Sequence, residues 1–381
     1  LLGSQMRAVM HMAAENPKVE TTFLHLACTG AEIKAGLLGA YSGAPETNGI
    51  KRKLQRPRAP RRPGGKRGPL NVDNVALVTM SQVNELVRLL CRRPDVAGYQ
   101  RKFRRYLSGR VKRRFERKRD TLDYKRPYFD RLRCRGGFNR KLDAVLVGIG
   151  GNDVGFSSVI ADALVDAKLL SRATGLSLSP KKAAEGLPRL EQELRDLNRV
   201  LRDRLSLKQA DGDGSPIIIS QYPDPLHDQR GRPCATRDGL AALDVFKSTG
   251  RPRVTRSESV AIRDIFLKPL NALLQKSARE NDWMLAKPLA DGKTRGWCAG
   301  NIKLSATGRF NPYGNHRRWT RTPNDARVII DYRPARGEED RWQKESDLLS
   351  GVGAFHPTGR GAAAMAEGYR EQLEKLGLYK R

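Results

Sequence analysis

Long apolar runs, paired cysteine motifs and aromatic residues are all scarce in this sequence of 381 residues. The longest apolar run, near residues 144–149, ends in glycines and is far shorter than the roughly 18 residues that span a bilayer. None of the five cysteines has the CxxC spacing of a zinc or redox site. Aromatic residues make up 6% of the chain, so platforms for stacking nucleic-acid bases are few. The sequence therefore argues against a membrane-spanning protein, a CxxC metal or redox centre and a base-stacking protein.

Acidic residues are also in the minority, because 41 Asp and Glu face 72 Lys and Arg and the formal net charge is +31. Residues 51–67 carry nine basic side chains and no acid, and residues 101–120 carry eleven basic side chains against two acids. An anionic partner or surface would complement such charge. Since the excess is concentrated in two blocks, we interpret it as a property of insertions at about residues 42–70 and 97–140. The predicted organisation is otherwise a single domain over residues 1–381.

Apolar segments that alternate with helical patterns predict an α/β fold with a parallel sheet. The four predicted strands, of which the first covers residues 21–27, end near residues 28, 150, 222 and 286. Leucines at steps of three and four from Leu187 to Leu205 predict the clearest helix. Other helices are predicted at about residues 5–16, 81–92, 257–280 and 358–376, with an amphipathic basic helix at 101–119.

Three segments at or after the strand ends carry residues suited to ester chemistry, since ligands bind at the carboxyl ends of open parallel sheets. Gly30 in ACTGAEI allows a sharp turn that can point an N–H at an oxyanion. Asn152 in GIGGNDVGF could donate its amide to the same oxyanion, and His356 in AFHPTG could act as a general base. Each residue also has a purely structural interpretation as part of a turn or a helix start. The remaining histidines are assigned to packing or to the surface: His11, His25, His227 and His316.

In this order and spacing, the three segments resemble sequence blocks of the SGNH (GDSL-type) serine hydrolases. ACTGAEI looks like the second block, GIGGNDVGF like the third and AFHPTGRGAAAMA like the fifth, while ISQYPDP and RGWCAG resemble the secreted lipase-like branch. The resemblance implies a three-layer α/β/α flavodoxin-like sheet. It also implies that Gly30 and Asn152 form the oxyanion hole and that His356 is the catalytic base.

Two features depart from the family pattern. The first block, Gly-Asp-Ser at the end of the first strand, does not occur, so we expect the sequence to start after that strand and its serine. Ser4 is the candidate stand-in, but no strand precedes it. The family's Asp three residues before the histidine is replaced by Gly353, which leaves a Ser–His dyad or an orienting role for Asp347.

The implied reaction is hydrolysis of a lipid, carbohydrate or other small-molecule ester through a serine acyl-enzyme, with no metal or organic cofactor. Two alternatives belong to other classes: a non-catalytic protein of the same fold, and a basic module that binds polyanions or nucleic acid. Specific nucleic-acid recognition is not expected, because no binding motif is present. The helix at Arg101–Arg119 could instead contact an anionic membrane surface.

The cysteine count allows two disulfides with one cysteine left over, or a reduced intracellular protein. The branch that the sequence resembles favours a secreted or periplasmic protein. With it we expect Cys234 and Cys298 to pair and Cys28 to have its partner upstream.

Overall fold

The structure is a computed structural model that describes residues 3–27, 30–39, 81–99, 132–156, 159, 179–205, 207, 216–234, 255–288, 294–299, 318–321 and 356–378. The chain forms two compact units. The first contains Leu1–Phe23, Ala144–Gln192 and Gln209–Arg381, and the second contains Leu24–Asp143 and Glu193–Lys208. The single domain stays a prediction.

A small parallel sheet forms the centre of the first unit. Its strands are β3 (Val145–Val147), β4 (Ile217–Ser220) and β5 (Met284–Ala286), in the order β3-β4-β5. Val145 pairs with Ile217 and Ile218 pairs with Met284, both in parallel register. The strands are short apolar runs, as expected for a sheet buried on both faces. The mixed helix and strand content and the parallel sheet agree with the α/β prediction.

Helices α1 (Ser4–Glu15) and α7 (Gly359–Lys375) pack on one face of this sheet. The cluster on that face contains residues of both helices and of two strands: Ala8, Val9, Met12, Ile218, Ala286, Ala366, Tyr369 and Leu373. Side chains alternate across a strand, so Ile217 and Ile219 point to the opposite face. Both are fully buried, and the sheet is therefore covered on both faces.

A long helical segment connects β4 to β5. It consists of α5 (Arg256–Ala261), a π-helical stretch (Ile262–Leu267) and α6 (Lys268–Glu280). Thr255 starts it with a capping box, because its hydroxyl accepts the Glu258 N–H while Glu258 accepts the Thr255 N–H. The segment confirms the helix predicted at about 257–280.

The second unit contains α2 (Gln82–Leu90) and an antiparallel pair, β1 (Cys91–Pro94) with β2 (Cys134–Phe138). A disulfide joins Cys91 to Cys134. Buried Asn84 on α2 accepts the Leu132 N–H at 2.9 Å. The short helix α3 (Pro180–Ala184) belongs to the first unit, and α4 (Leu187–Leu205) has residues in both units. Helix α4 confirms the helix predicted from the leucine spacing, and its leucines from Leu190 to Leu205 are buried.

The strand predicted at residues 21–27 is wrong. These residues form no strand, although Phe23 packs against the α1–α7 core. An apolar run becomes a strand only where a neighbouring strand pairs with it, and neither of the two described sheets includes this segment. The structure describes three parallel strands where four were predicted. The basic helix predicted at 101–119 lies outside the described residues.

Candidate functional site

A glycine-rich turn, residues 150–156, follows β3 at the carboxyl end of the sheet. The Val154 N–H donates to Gly150 O at 3.3 Å, the Gly155 N–H to Asn152 O at 3.1 Å and the Phe156 N–H to Gly151 O at 2.8 Å. Gly150 has φ +110°, a conformation that favours glycine. Asn152 is half-buried within this turn, at the position that the sequence predicted.

Tyr222 follows β4, the neighbouring strand, and holds the turn. Its hydroxyl accepts the Gly151 N–H at 2.8 Å. Burial raises the pKa of Tyr222 well above its usual range, the Gly151 N–H acts in the opposite direction, and the charge of Asp153 adds to the rise. The phenol therefore stays neutral and remains a hydrogen-bonding group at any physiological pH.

Asn271 on α6 fixes the backbone of Tyr222 in turn. Its side-chain oxygen accepts the Tyr222 N–H at 2.9 Å, and its side-chain nitrogen donates to Tyr222 O at 2.8 Å. A side-chain amide thus satisfies both backbone groups of a residue just beyond a strand end. The π-helical stretch directly before α6 contributes Phe266, which lies 5.9 Å from Phe156 between ring centroids.

His356 lies in a short segment, residues 356–358, that we call the histidine loop. It is exposed, and its backbone oxygen accepts the Arg321 N–H at 2.9 Å. Thr358 ends the loop and caps α7, because its hydroxyl accepts the Gly361 N–H at 3.1 Å. The loop therefore presents the imidazole at the start of α7.

Backbone hydrogen bonds join the histidine loop to the segment that follows β4. The Thr358 N–H donates to Trp319 O at 2.7 Å, and the Trp319 N–H donates to Arg295 O at 2.8 Å. Trp297 then donates its N–H to Pro225 O at 2.6 Å. The Cys234–Cys298 disulfide, which was predicted, covalently links the same region. Asn152 and His356 thus belong to one unit, and the histidine loop is connected to the segment that follows β4.

Gly30 lies in the second unit, whereas Asn152 and His356 lie in the first. It has φ +73°, so the backbone turns there as the sequence predicted. The turn that follows it is closed by the Glu32 N–H, which donates to Ala35 O at 2.8 Å.

Ser4 is the first residue of α1 and is buried. Its hydroxyl donates to Gln5 Oε1 at 3.1 Å, and the Gln5 amide donates to the hydroxyl of Tyr369 at 3.2 Å. The Ser4 hydroxyl is therefore hydrogen-bonded to its neighbour in the helix.

Three of the other histidines lie where structural roles were assigned. His11 is exposed with Nδ1 3.4 Å from Glu15 Oε1, His25 is exposed, and His227 is buried with Nδ1 3.8 Å from Asp224 Oδ1. The remaining predicted residues lie outside the described part of the chain: Cys28, Arg101–Arg119, His316, Asp347 and Gly353.

Sequence reasoning missed Tyr222 and Asn271. Tyr222 precedes a proline at a strand end and has the signature of an ordinary turn, and Asn271 is one polar residue on a long helix. The sequence signal that indicates a close contact here is the double glycine before Asn152, because a residue without Cβ allows another group to approach the backbone closely.

The described residues hold no group of three or more His, Cys, Asp or Glu arranged to bind a metal ion. Every helix in the described ranges is too short or too polar to cross a membrane. A comparison with protein-family models and with curated proteins found no match to this chain.

Proposed function

We propose that the protein is a serine ester hydrolase of the SGNH type with a three-layer α/β/α sheet. In this proposal His356 is the general base and the Asn152 side chain is an oxyanion donor, while the oxyanion role of Gly30 stays a prediction from the sequence. One observation carries the proposal: the turn with Asn152 follows β3 at the carboxyl end of the parallel sheet, and in the same unit backbone hydrogen bonds join the histidine loop to the segment that follows β4. Functional groups of open α/β sheets cluster at that end.

The proposed chemistry is acyl transfer in two steps. The serine oxygen bonds to the ester carbonyl carbon while His356 takes the hydroxyl proton. The carbon–oxygen bond to the alcohol then breaks, and His356 returns the proton to that alcohol. Water attacks the acyl-enzyme by the same route. Each oxyanion donor lowers the barrier by about 2.7–4 kcal/mol in enzymes of this kind.

Ser4 is not the nucleophile in this proposal. Its buried hydroxyl already donates to Gln5 Oε1, and it lies on the first turn of a helix rather than in a strand-end turn. The two disulfides are compatible with secretion or a periplasmic location, which we also propose. The proposed substrate is a small-molecule, lipid or carbohydrate ester.

The test is fluorophosphonate labelling of the full reading frame, with the modified peptide identified by mass spectrometry. We expect one serine adduct, on a residue other than Ser4. The labelling rate should fall by about 10²-fold or more in His356→Ala and Asn152→Ala, because both remove transition-state interactions. His11→Ala is the matched control, since His11 is an exposed histidine on α1 outside the turn and the histidine loop, and its labelling should equal that of the unaltered protein.

Two outcomes would contradict parts of the proposal. An adduct on Ser4 would preserve the esterase and overturn the assignment of the nucleophile. A folded protein without any adduct would overturn the esterase and favour a non-catalytic protein, with the basic segments as the next place to look for function.

A further inference from the structure

The turn that carries Asn152 is held at both of its ends by one side chain. The Tyr222 hydroxyl accepts the Gly151 N–H at 2.8 Å, directly before Asn152. At the far end of the turn, Phe156 stacks on the Tyr222 ring with centroids 5.8 Å apart. The Phe156 N–H closes the turn by donating to Gly151 O at 2.8 Å. Tyr222 therefore contacts both residues whose hydrogen bond closes the turn, Gly151 and Phe156.

Gly151 has to be a glycine for this contact to exist. A Cβ at this position would lie 2.8 Å from both Cζ and the hydroxyl oxygen of Tyr222, which is too close for any side chain. The hydroxyl also occupies the Gly151 N–H, so that N–H is not available to an oxyanion. The donor in the proposed function is the side chain of the next residue, Asn152.

Tyr222 is itself fixed on the scaffold. Asn271 accepts its N–H and donates to its carbonyl oxygen, and the neighbouring Gln221 side chain donates to Asn271 O at 3.2 Å. The position of Tyr222 just after β4 and its attachment to α6 thus fix the phenol independently of the turn. A rigid element, rather than the turn alone, determines where Asn152 lies.

We propose that Tyr222, anchored by Asn271, is the positioning residue that sets the geometry of the Asn152 oxyanion donor. The inference rests on the proposed function and adds a component to the same site. Catalytic donors have to be held close to the oxyanion, and a misplacement of about 1 Å can cost about 100-fold in rate. Loss of the Tyr222 hydroxyl should therefore slow catalysis without removing any group that touches substrate.

The experiment compares Tyr222→Phe with Tyr369→Phe in the full-length protein. Tyr369 is a matched control because its buried hydroxyl also bonds to the backbone, donating to Val147 O at the end of β3 at 3.2 Å, but not to the turn. The readouts are kcat and KM for p-nitrophenyl acetate and the rate of fluorophosphonate labelling. We expect Tyr222→Phe to lower kcat and labelling about 10- to 100-fold with KM nearly unchanged, and Tyr369→Phe to change them less than about twofold.

A double-mutant cycle separates positioning from general stability. If Tyr222 acts through Asn152, adding Tyr222→Phe to Asn152→Ala should cause almost no further loss. Hydrogen exchange supplies a readout that does not depend on catalysis. Amides of residues 150–156 should exchange faster in Tyr222→Phe than in Tyr369→Phe, because only the first loses the bond to Gly151.

The outcomes distinguish the inference from the proposed function. An unaltered protein without esterase or labelling activity would overturn both. An active protein that depends on Asn152, but in which Tyr222→Phe behaves like Tyr369→Phe or adds its full effect to Asn152→Ala, would overturn the inference alone.

Discussion

At Gly151 the backbone lies so close to Tyr222 that a single methyl group does not fit. Gly151→Ala would place its Cβ 2.8 Å from the ring, so either the ring or the turn has to move. Overpacking of this kind costs about 1–3 kcal/mol in the free energy of unfolding, which urea denaturation would measure. The double variant with Tyr222→Ala is the control. Because Tyr222→Ala removes the ring that clashes, adding Gly151→Ala to it should cause almost no further loss of stability. If the two losses in the free energy of unfolding simply added, the clash would be contradicted.

Tyr369 makes stability depend on alkaline pH. Burial raises its pKa to about 12, although hydrogen bonds with Ser220 and Gln5 lower it. The unfolded chain loses this proton near pH 10 while the folded chain keeps it, so the contribution of Tyr369 to stability is complete below pH 10. It then falls by about 1.4 kcal/mol per pH unit until pH 12.

Tyr369→Phe removes this dependence along with the hydrogen bonds of the hydroxyl. At pH 8 we expect the variant to be less stable than the unaltered protein by about 1–2 kcal/mol. The difference should shrink as pH rises from 10 to 12, because only the unaltered protein has to keep the Tyr369 phenol protonated, whereas the buried Tyr222 phenol is present in both proteins. Urea titrations at each pH measure it, and a constant difference across that range would contradict the raised pKa.

At the scale of elements, the start of α7 docks on Trp319. A Cβ on Gly361 would overlap the Trp319 carbonyl oxygen, which accepts the Thr358 N–H, whereas a Cβ on Gly359 meets nothing closer than 3.5 Å. Gly361→Ala should therefore destabilise by about 1–3 kcal/mol and also slow labelling, because the histidine loop shifts. Gly359→Ala is the matched control in the same helical turn and should be neutral or slightly stabilising. If thermal unfolding showed the same loss of stability for Gly361→Ala and Gly359→Ala, the close contact between Gly361 and Trp319 would be contradicted.

The elements that the sequence predicted correctly are those with strong local patterns. The leucine repeat of α4 and the apolar runs of β3, β4 and β5 identify their structure without tertiary information. Residues 21–27 look like a strand for the same reason, but pairing is a property of two segments and cannot be read from one. The β1–β2 pair was missed because CRRP and CRGGF lack the apolar alternation of a buried strand.

The candidate site was predictable in part. Asn152 and His356 are recognisable in the sequence because Asn152 lies just after a predicted strand and His356 lies just before a predicted helix. Their side chains can also act as a hydrogen-bond donor and as a general base. Their connection does not stand out, because it consists of backbone hydrogen bonds among segments near residues 225, 297, 319 and 358. Backbone groups carry no sequence signature, so contacts of this kind appear only in the folded chain.

At the scale of the whole molecule, the two disulfides belong to different units and should have separable effects. Cys91–Cys134 lies in the second unit with a sequence separation of 43, and Cys234–Cys298 lies in the first with a separation of 64. Loops of these lengths predict about 4 kcal/mol of stabilisation from each bridge. Loss of either should therefore lower the stability of its unit by a similar amount.

Only the second bridge should affect the proposed active site. Cys234 donates its N–H to Leu226 O at 3.1 Å, and Cys298 directly follows Trp297, which donates to Pro225 O. The bridge thus fastens the segment after β4 to the segment that supports Trp319 and the histidine loop. Replacing Cys234 and Cys298 with serine should slow His356-dependent fluorophosphonate labelling, while the same change at Cys91 and Cys134 should leave the rate unchanged below its own unfolding temperature. Equal labelling in the two double variants would mean that hydrogen bonds alone hold His356 in place.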